Sequence, residues 1–130
     1  MRVRKILPLA VLCLAALAVI IVPVAMKSLG GFALWNMSPP IIGVILIQPW
    51  AMFDTPVTGR ISTCYPHLVG VAVIAAVTIL FQMAWLFDWG GTATGSSTSA
   101  LAFIFVPIWA TVIGLGAGLA TLIVQRLMRN

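Results

Sequence analysis

The chain has 130 residues, of which 62% are hydrophobic and only 7% are charged. Soluble domains carry roughly a quarter charged residues, so seven basic and two acidic side chains cannot form the surface that a water-soluble fold needs. The net charge of +5 does not indicate nucleic-acid binding, because the basic residues stand at the ends of apolar runs and form no patch. The composition predicts an integral membrane protein whose cations meet lipid headgroups.

The first apolar run covers residues 6–26 and follows a basic cluster at residues 2–5. This order is also typical of a secretory signal peptide. The run is longer than the roughly 7 to 15 apolar residues of such peptides, and its end, which includes Pro23 and Lys27, is a poor small-residue cleavage site. We therefore predict an uncleaved first transmembrane helix, with a cleaved signal peptide as the alternative.

The second apolar run, residues 32–53, is interrupted by Pro39, Pro40 and Pro49. Counted from residue 32 it holds about twenty-two residues, enough to cross a bilayer, but counted from residue 41 it holds only about thirteen. We predict a spanning helix that is broken and kinked at the double proline. A re-entrant segment is the alternative, and it requires that its irregular backbone be buried in protein or face a water-filled cavity.

The third predicted helix covers residues 67–88, after a polar loop, and ends before a Gly/Ser/Thr-rich hairpin. Thr78 and Gln82 lie one turn apart near the middle of the membrane on a polar stripe that begins at His67. Such a stripe either lines a pore or substrate path, or forms an interhelical hydrogen bond worth on the order of 1 kcal/mol. The hydrogen bond is the interpretation that we favour.

The fourth predicted helix covers residues 99–125 and carries no charge in its interior. Ala110, Gly114 and Gly118 recur every fourth residue and therefore form one small-residue face. Small residues let the backbones of two helices approach closely. We predict that the third and fourth helices form an antiparallel hairpin packed through this face.

If four helices cross the membrane, the distribution of basic residues predicts the orientation of the chain. Six lie on one side (Arg2, Arg4, Lys5, Arg60, Arg126 and Arg129), whereas the other side holds one, Lys27. Because positively charged loops stay in the cytoplasm, both termini are predicted to be cytoplasmic. The ionisable groups expected at the two interfaces are Lys27, Asp54, Arg60, His67 and Asp88. Lys27 and Asp88 fall on the same side, so we predict that they are near neighbours, within reach of an ion pair.

The predicted membrane centre holds no ionisable residue, so it offers no group for catalysis or proton transfer. A membrane-embedded hydrolase needs a nucleophile with a base, or a metal with its ligands, and a small proton-coupled exporter needs an embedded carboxylate. The chain is therefore predicted not to be an enzyme and to use neither a metal nor a cofactor.

The sequence as a whole predicts an all-α membrane protein, a compact bundle of four transmembrane helices that forms one domain over residues 1–130. The expected location is the bacterial inner membrane. By elimination, the expected function is interaction through helix surfaces, as an accessory subunit or an immunity-type protein that binds another membrane protein. The alternative is a small transporter or a channel or holin-like component, assembled from copies of this chain.

Overall fold

The computed structural model describes residues 3–27, 31–47, 65–95 and 101–127. Within these ranges the fold is all-helical and has no strand, which confirms the predicted fold class at that level. The helices are α1 (Val3–Ala25), α2 (Gly31–Ile42, continued by a π-helical turn, Gly43–Ile47), α3 (Tyr65–Leu86) and α4 (Ala102–Leu127). A single 3-10 turn, Trp89–Gly91, follows α3.

Three of the helices are long and apolar enough to cross a membrane. These stretches are Ile6–Ala25, Pro66–Leu86 and Ala102–Leu127, with mean hydropathies of 2.9, 2.2 and 2.0. At about 1.5 Å per residue, a helix of about 20 residues matches the roughly 30 Å hydrocarbon core of a bilayer. The apolar part of α2, Gly31–Ile45, is shorter. These lengths and compositions are those of a membrane protein.

Two apolar clusters define the directions of α1, α3 and α4. The first joins the middle of α1 to the N-terminal half of α3 and contains Val11, Ala15, Ala18, Leu68, Val71 and Ala75. The second joins the C-terminal ends of α1 and α3 to the start of α4 and contains Val22, Met26, Phe103, Phe81 and Trp85. Consequently α1 and α3 run in the same direction, and α4 runs in the opposite one.

Helix α2 is antiparallel to α3. Near the start of α2, Asn36 lies within hydrogen-bonding distance of Gln82, which belongs to the last part of α3. Further along α2, a Cβ placed on Gly43 would lie 3.5 Å from Cγ2 of Val71, which belongs to the first part of α3. The four helices therefore alternate in direction, and α2 runs beside α3 from the level of Gln82 to that of Val71.

The predicted break at Pro39 and Pro40 is wrong, because the α-helix continues through both residues to Ile42. The irregularity comes later, where the backbone widens into the π-helical turn Gly43–Ile47. Turns of this kind are a known local distortion of α-helices. Residues 48–53 of the predicted second helix lie outside the described residues.

The side chain of Ser38 helps α2 to continue through Pro39. Pro39 has no N–H, so the Trp35 carbonyl four residues earlier loses its helical donor. The Ser38 hydroxyl donates to that carbonyl at 2.7 Å and replaces the missing bond. The backbone can therefore remain helical at Pro39 without leaving the Trp35 carbonyl unpaired.

Candidate functional site

Among the described residues, three buried polar side chains make up what we call the polar cluster: Asn36 of α2, and Thr78 and Gln82 of α3. They are 1%, 2% and 0% exposed, respectively. The sequence predicts Thr78 and Gln82 as a polar stripe, and the structure places both in the interior of the chain's own bundle. Asn36, which joins them there, is not among the residues that the sequence analysis selects.

The amide of Asn36 links α2 to α4. Pro107 lies inside α4 and has no N–H, so the carbonyl of Phe103, four residues earlier, loses its helical donor. Nδ2 of Asn36 donates to this carbonyl at 2.9 Å and also donates to the Phe32 carbonyl of its own helix at 3.0 Å. Both amide hydrogens are thereby used. A proline in one helix is thus compensated by an amide from another.

The next carbonyl of α4 receives a second donor from α2. Nε1 of Trp35 donates to the Ile104 carbonyl at 3.2 Å. Two consecutive side chains of α2, Trp35 and Asn36, therefore bond two consecutive carbonyls of α4, Phe103 and Ile104. This pairing sets the register between the two helices at the level of the Pro107 distortion.

The remaining members of the polar cluster are bonded less completely. Thr78 Oγ1 donates to the Ile74 carbonyl of its own helix at 2.8 Å. Nε2 of Gln82 donates to Oδ1 of Asn36 at 3.5 Å, the long limit of a hydrogen bond. Oε1 of Gln82 is buried and has no partner among the described residues. None of the three side chains titrates, so the cluster acts through hydrogen bonds only.

Aromatic rings pack together at Phe103, the residue whose carbonyl Asn36 bonds. The ring of Phe103 packs edge-to-face against Trp85, with centroids 4.3 Å apart, and against Phe81, with centroids 5.4 Å apart. Phe103 itself is 1% exposed. A hydrogen bond surrounded by such apolar groups is electrostatically stronger than one in water, and an unpaired polar atom there is correspondingly costly.

The predicted small-residue face of α4 lies at α3. Ala110 is fully buried, Gly114 is buried and Gly118 is half-buried. A Cβ on Gly114 would lie 2.8 Å from the Gly70 carbonyl oxygen, and one on Gly118 would lie 3.0 Å from the Pro66 carbonyl oxygen. Both distances are shorter than ordinary contacts of a side-chain carbon. At Gly114 the backbone of Gly70 and the side chain of Ile74 both lie against α4, and at Gly118 the backbones of α3 and α4 meet directly.

His67 lies at the end of this contact, half-buried at the start of α3. With Gly70, Gly118 and neighbouring leucines it lines a groove of about 260 Å³. Two further groups that the sequence predicts at an interface, Asp54 and Arg60, lie outside the described residues.

Asp88 and Lys27 lie at the same end of the bundle, because Met26, the neighbour of Lys27, packs in the cluster that contains Trp85. They form no ion pair, which corrects the predicted pairing. The Asp88 carboxylate instead accepts hydrogen bonds from Ala93 N–H at 2.7 Å, Thr94 N–H at 3.2 Å and Thr94 Oγ1 at 2.5 Å.

The local turn explains why Asp88 bonds within its own loop. Asp88 has a φ of 49°, and Gly90 and Gly91 also have positive φ values of 64° and 76°. Glycine adopts such values at little cost, so the chain reverses tightly and brings Thr94 back to the carboxylate. The Thr94 hydroxyl, followed by the Ala93 N–H, holds the pKa of Asp88 below its ordinary value.

The described residues contain no group of three His, Cys, Asp or Glu side chains that could hold a metal ion. Comparison with protein-family models, curated proteins and solved structures finds no match to this chain, so the polar cluster and the helix surfaces themselves are the basis for a functional interpretation.

Proposed function

We propose that this protein is a small integral protein of the bacterial inner membrane that acts by binding another membrane protein through its helix surfaces, as an accessory subunit or an immunity-type binder. The observation that carries the proposal is the outer face of α4. A Cβ on Gly116 would meet no atom within 4 Å, and Ala120, one turn further on, is exposed. Small residues on the outside of a spanning helix allow another helix to approach its backbone.

The large side chains around these positions support the same interpretation. Trp109, Ile113 and Leu119 of α4 are 61%, 47% and 58% exposed. Around the small residues they form an apolar surface that suits either lipid or a partner helix. Gly116 lies almost opposite Gly114 around the helix, so the inner glycine contacts α3 while the outer one meets no side chain of the described residues.

We further propose that α2 crosses the membrane with the other three helices, so that both termini are cytoplasmic. Two facts support this. First, α2 runs beside α3 from Gln82 to Val71, 11 residue positions or roughly 16 Å at about 1.5 Å per residue. Second, its 12 α-helical and 5 π-helical residues remain helical up to the edge of the described segment.

The alternative, a homo-oligomeric pore lined by Thr78 and Gln82, receives less support. Both side chains are almost fully buried inside a single copy of the chain. They would have to leave that interior before several copies could present them to a shared channel. Binding of a partner requires no such rearrangement.

The test uses the protein extracted from its native membrane in mild detergent. We expect a foreign membrane protein to copurify stoichiometrically, and we expect Gly116→Ile to abolish the association without lowering thermal stability. Leu80→Ile on α3 is the matched control, since it keeps the volume of an exposed side chain that lies outside this surface. Retention of the partner by Gly116→Ile contradicts the assigned surface, and a self-assembled oligomer without a foreign partner supports the pore instead.

A further inference from the structure

The polar cluster contains a buried hydrogen-bond acceptor that has no donor among the described residues. Asn36 spends both amide hydrogens on the Phe32 and Phe103 carbonyls, and Thr78 spends its hydroxyl hydrogen on the Ile74 carbonyl. Oε1 of Gln82 receives no hydrogen bond from the described residues, although Gln82 is 0% exposed. A carbonyl oxygen left unpaired in an apolar interior is unfavourable, so this atom requires a donor.

The main-chain carbonyl of Asn36 is a second acceptor that lacks its usual donors. The carbonyl of Asn36 would normally bond the N–H of the residue four positions later, or three positions later in a tighter turn. Those residues are Pro40 and Pro39, and neither has an N–H. The main-chain oxygen of Asn36 therefore lacks both of these donors. The side chain of the same residue contacts Gln82.

The charge of the cluster restricts the ligand. Asn36, Thr78 and Gln82 are neutral, and all three are almost fully buried in a largely apolar bundle. A cation bound to carbonyl oxygens there would have no counter-charge and would be strongly disfavoured. The ligand must therefore be neutral, small enough to be enclosed, and able to donate.

We infer that Oε1 of Gln82 binds one buried water molecule inside the bundle. Water offers O–H donors, which the unpaired carbonyl oxygen requires, and buried waters in proteins typically satisfy such groups. The water links α3 to the adjoining α2 polar groups and completes the hydrogen bonding of the polar cluster. This inference concerns the interior of the chain and does not depend on the proposed partner binding.

The experiment measures magnetisation transfer from water to side-chain amides by NMR, on the isotope-labelled full chain in lipid nanodiscs. We expect transfer to Nε2 of Gln82 to be clearly stronger than transfer to the buried backbone amides of Ala18 and Ala110. Gln125, half-buried near the end of α4, provides the positive control. A Gln82 signal no stronger than that of the buried alanines overturns the inference, and this outcome requires no substitution.

A variant then assigns the water to the Gln82 carbonyl. Gln82→Met keeps a similar length and removes the acceptor, so transfer from water to Nδ2 of Asn36 should be lost. Gln125→Met, the matched control, should leave the Asn36 signal unchanged. Undiminished transfer to Asn36 in folded Gln82→Met would show that the water is bound elsewhere, which also overturns the inference.

Discussion

The side-chain amide of Asn36 donates a 2.9 Å hydrogen bond to the carbonyl of Phe103, the carbonyl that Pro107 leaves without its helical donor. The two residues are separated by 67 positions in the chain. Their bond compensates a defect in one helix with a polar group from another, at a carbonyl that is buried inside the bundle. It also gives α2 a defined register against α4.

The first prediction concerns this bond. Asn36→Leu removes the donor, leaves the Phe103 carbonyl unpaired and should lower the free energy of unfolding by about 1 to 2 kcal/mol. Thermal unfolding in detergent would measure the change. Ser38→Ala, which removes a more exposed hydroxyl bonded within α2, should cost less.

A double-mutant cycle separates the lost hydrogen bond from lost packing. Pro107→Ala restores an N–H that can bond the Phe103 carbonyl within α4. Asn36→Leu should therefore be less destabilising in the Pro107→Ala background than in the wild type. Equal costs in both backgrounds would mean that Asn36 contributes through its contacts rather than through this bond.

The second prediction concerns the close contact of α3 and α4. A branched side chain at Gly114 would collide with the Gly70 carbonyl and with Ile74, and one at Gly118 would meet the Pro66 carbonyl. Gly114→Ile or Gly118→Ile should therefore destabilise the bundle by about 1 to 3 kcal/mol, the usual range for overpacking.

Two matched controls lie on the same helix. Gly116→Ile adds the same side chain where nothing lies within 4 Å, and Leu115→Ile conserves volume at a position that is 56% exposed. Both should leave expression and thermal stability in detergent nearly unchanged. If Gly114→Ile were tolerated as well as Gly116→Ile, the two helices could not be packed backbone to backbone.

The third prediction concerns pH. The pKa of Asp88 is lowered in the folded chain, chiefly by the Thr94 hydroxyl, relative to the ordinary 3.8. The ionised carboxylate therefore stabilises the loop fully above pH 3.8, and this contribution is lost as the pH falls through the lowered folded value. Protection of the Ala93 and Thr94 amides against hydrogen exchange should fall over that acidic range.

Two substitutions check the assignment to Asp88. Asp88→Asn keeps an acceptor for the backbone amides and tolerates the left-handed backbone, so it should retain the turn but lose the acid dependence. Thr94→Val removes the hydroxyl donor and should raise the pKa of Asp88. Amide protection that changes with pH in Asp88→Asn as it does in the wild type would assign the titration to another group.

The fourth prediction concerns orientation and rests on the excess of basic residues on one side. A reporter fused after Asn130 should be active only if it is a cytoplasmic type, and one inserted near Thr94 only if it is an exported type. An exported C-terminus would mean that the second apolar segment does not cross.

Local patterns in the sequence were sufficient to predict the helices and the face on which the small residues lie. An apolar run of about 20 residues has few structural options in a bilayer other than a helix. Gly114 and Gly118 lie on one side because of the helical period, which depends only on local backbone geometry. The inward location of Gln82 and the continuity of α2 through Pro39 do not follow from that period.

The partners of the polar groups were decided by tertiary structure. Pro107 shows from sequence alone that the Phe103 carbonyl lacks a donor, and Asn36 is an amide in an apolar helix, but only the packing of α2 against α4 brings them together. Likewise, Lys27 and Asp88 share one end of the bundle, yet a left-handed turn offers Asp88 nearer donors in Thr94 and Ala93. Helical periodicity arises from covalent geometry within a few residues. Which donor pairs with which acceptor depends instead on the groups that the folded chain brings within hydrogen-bonding distance.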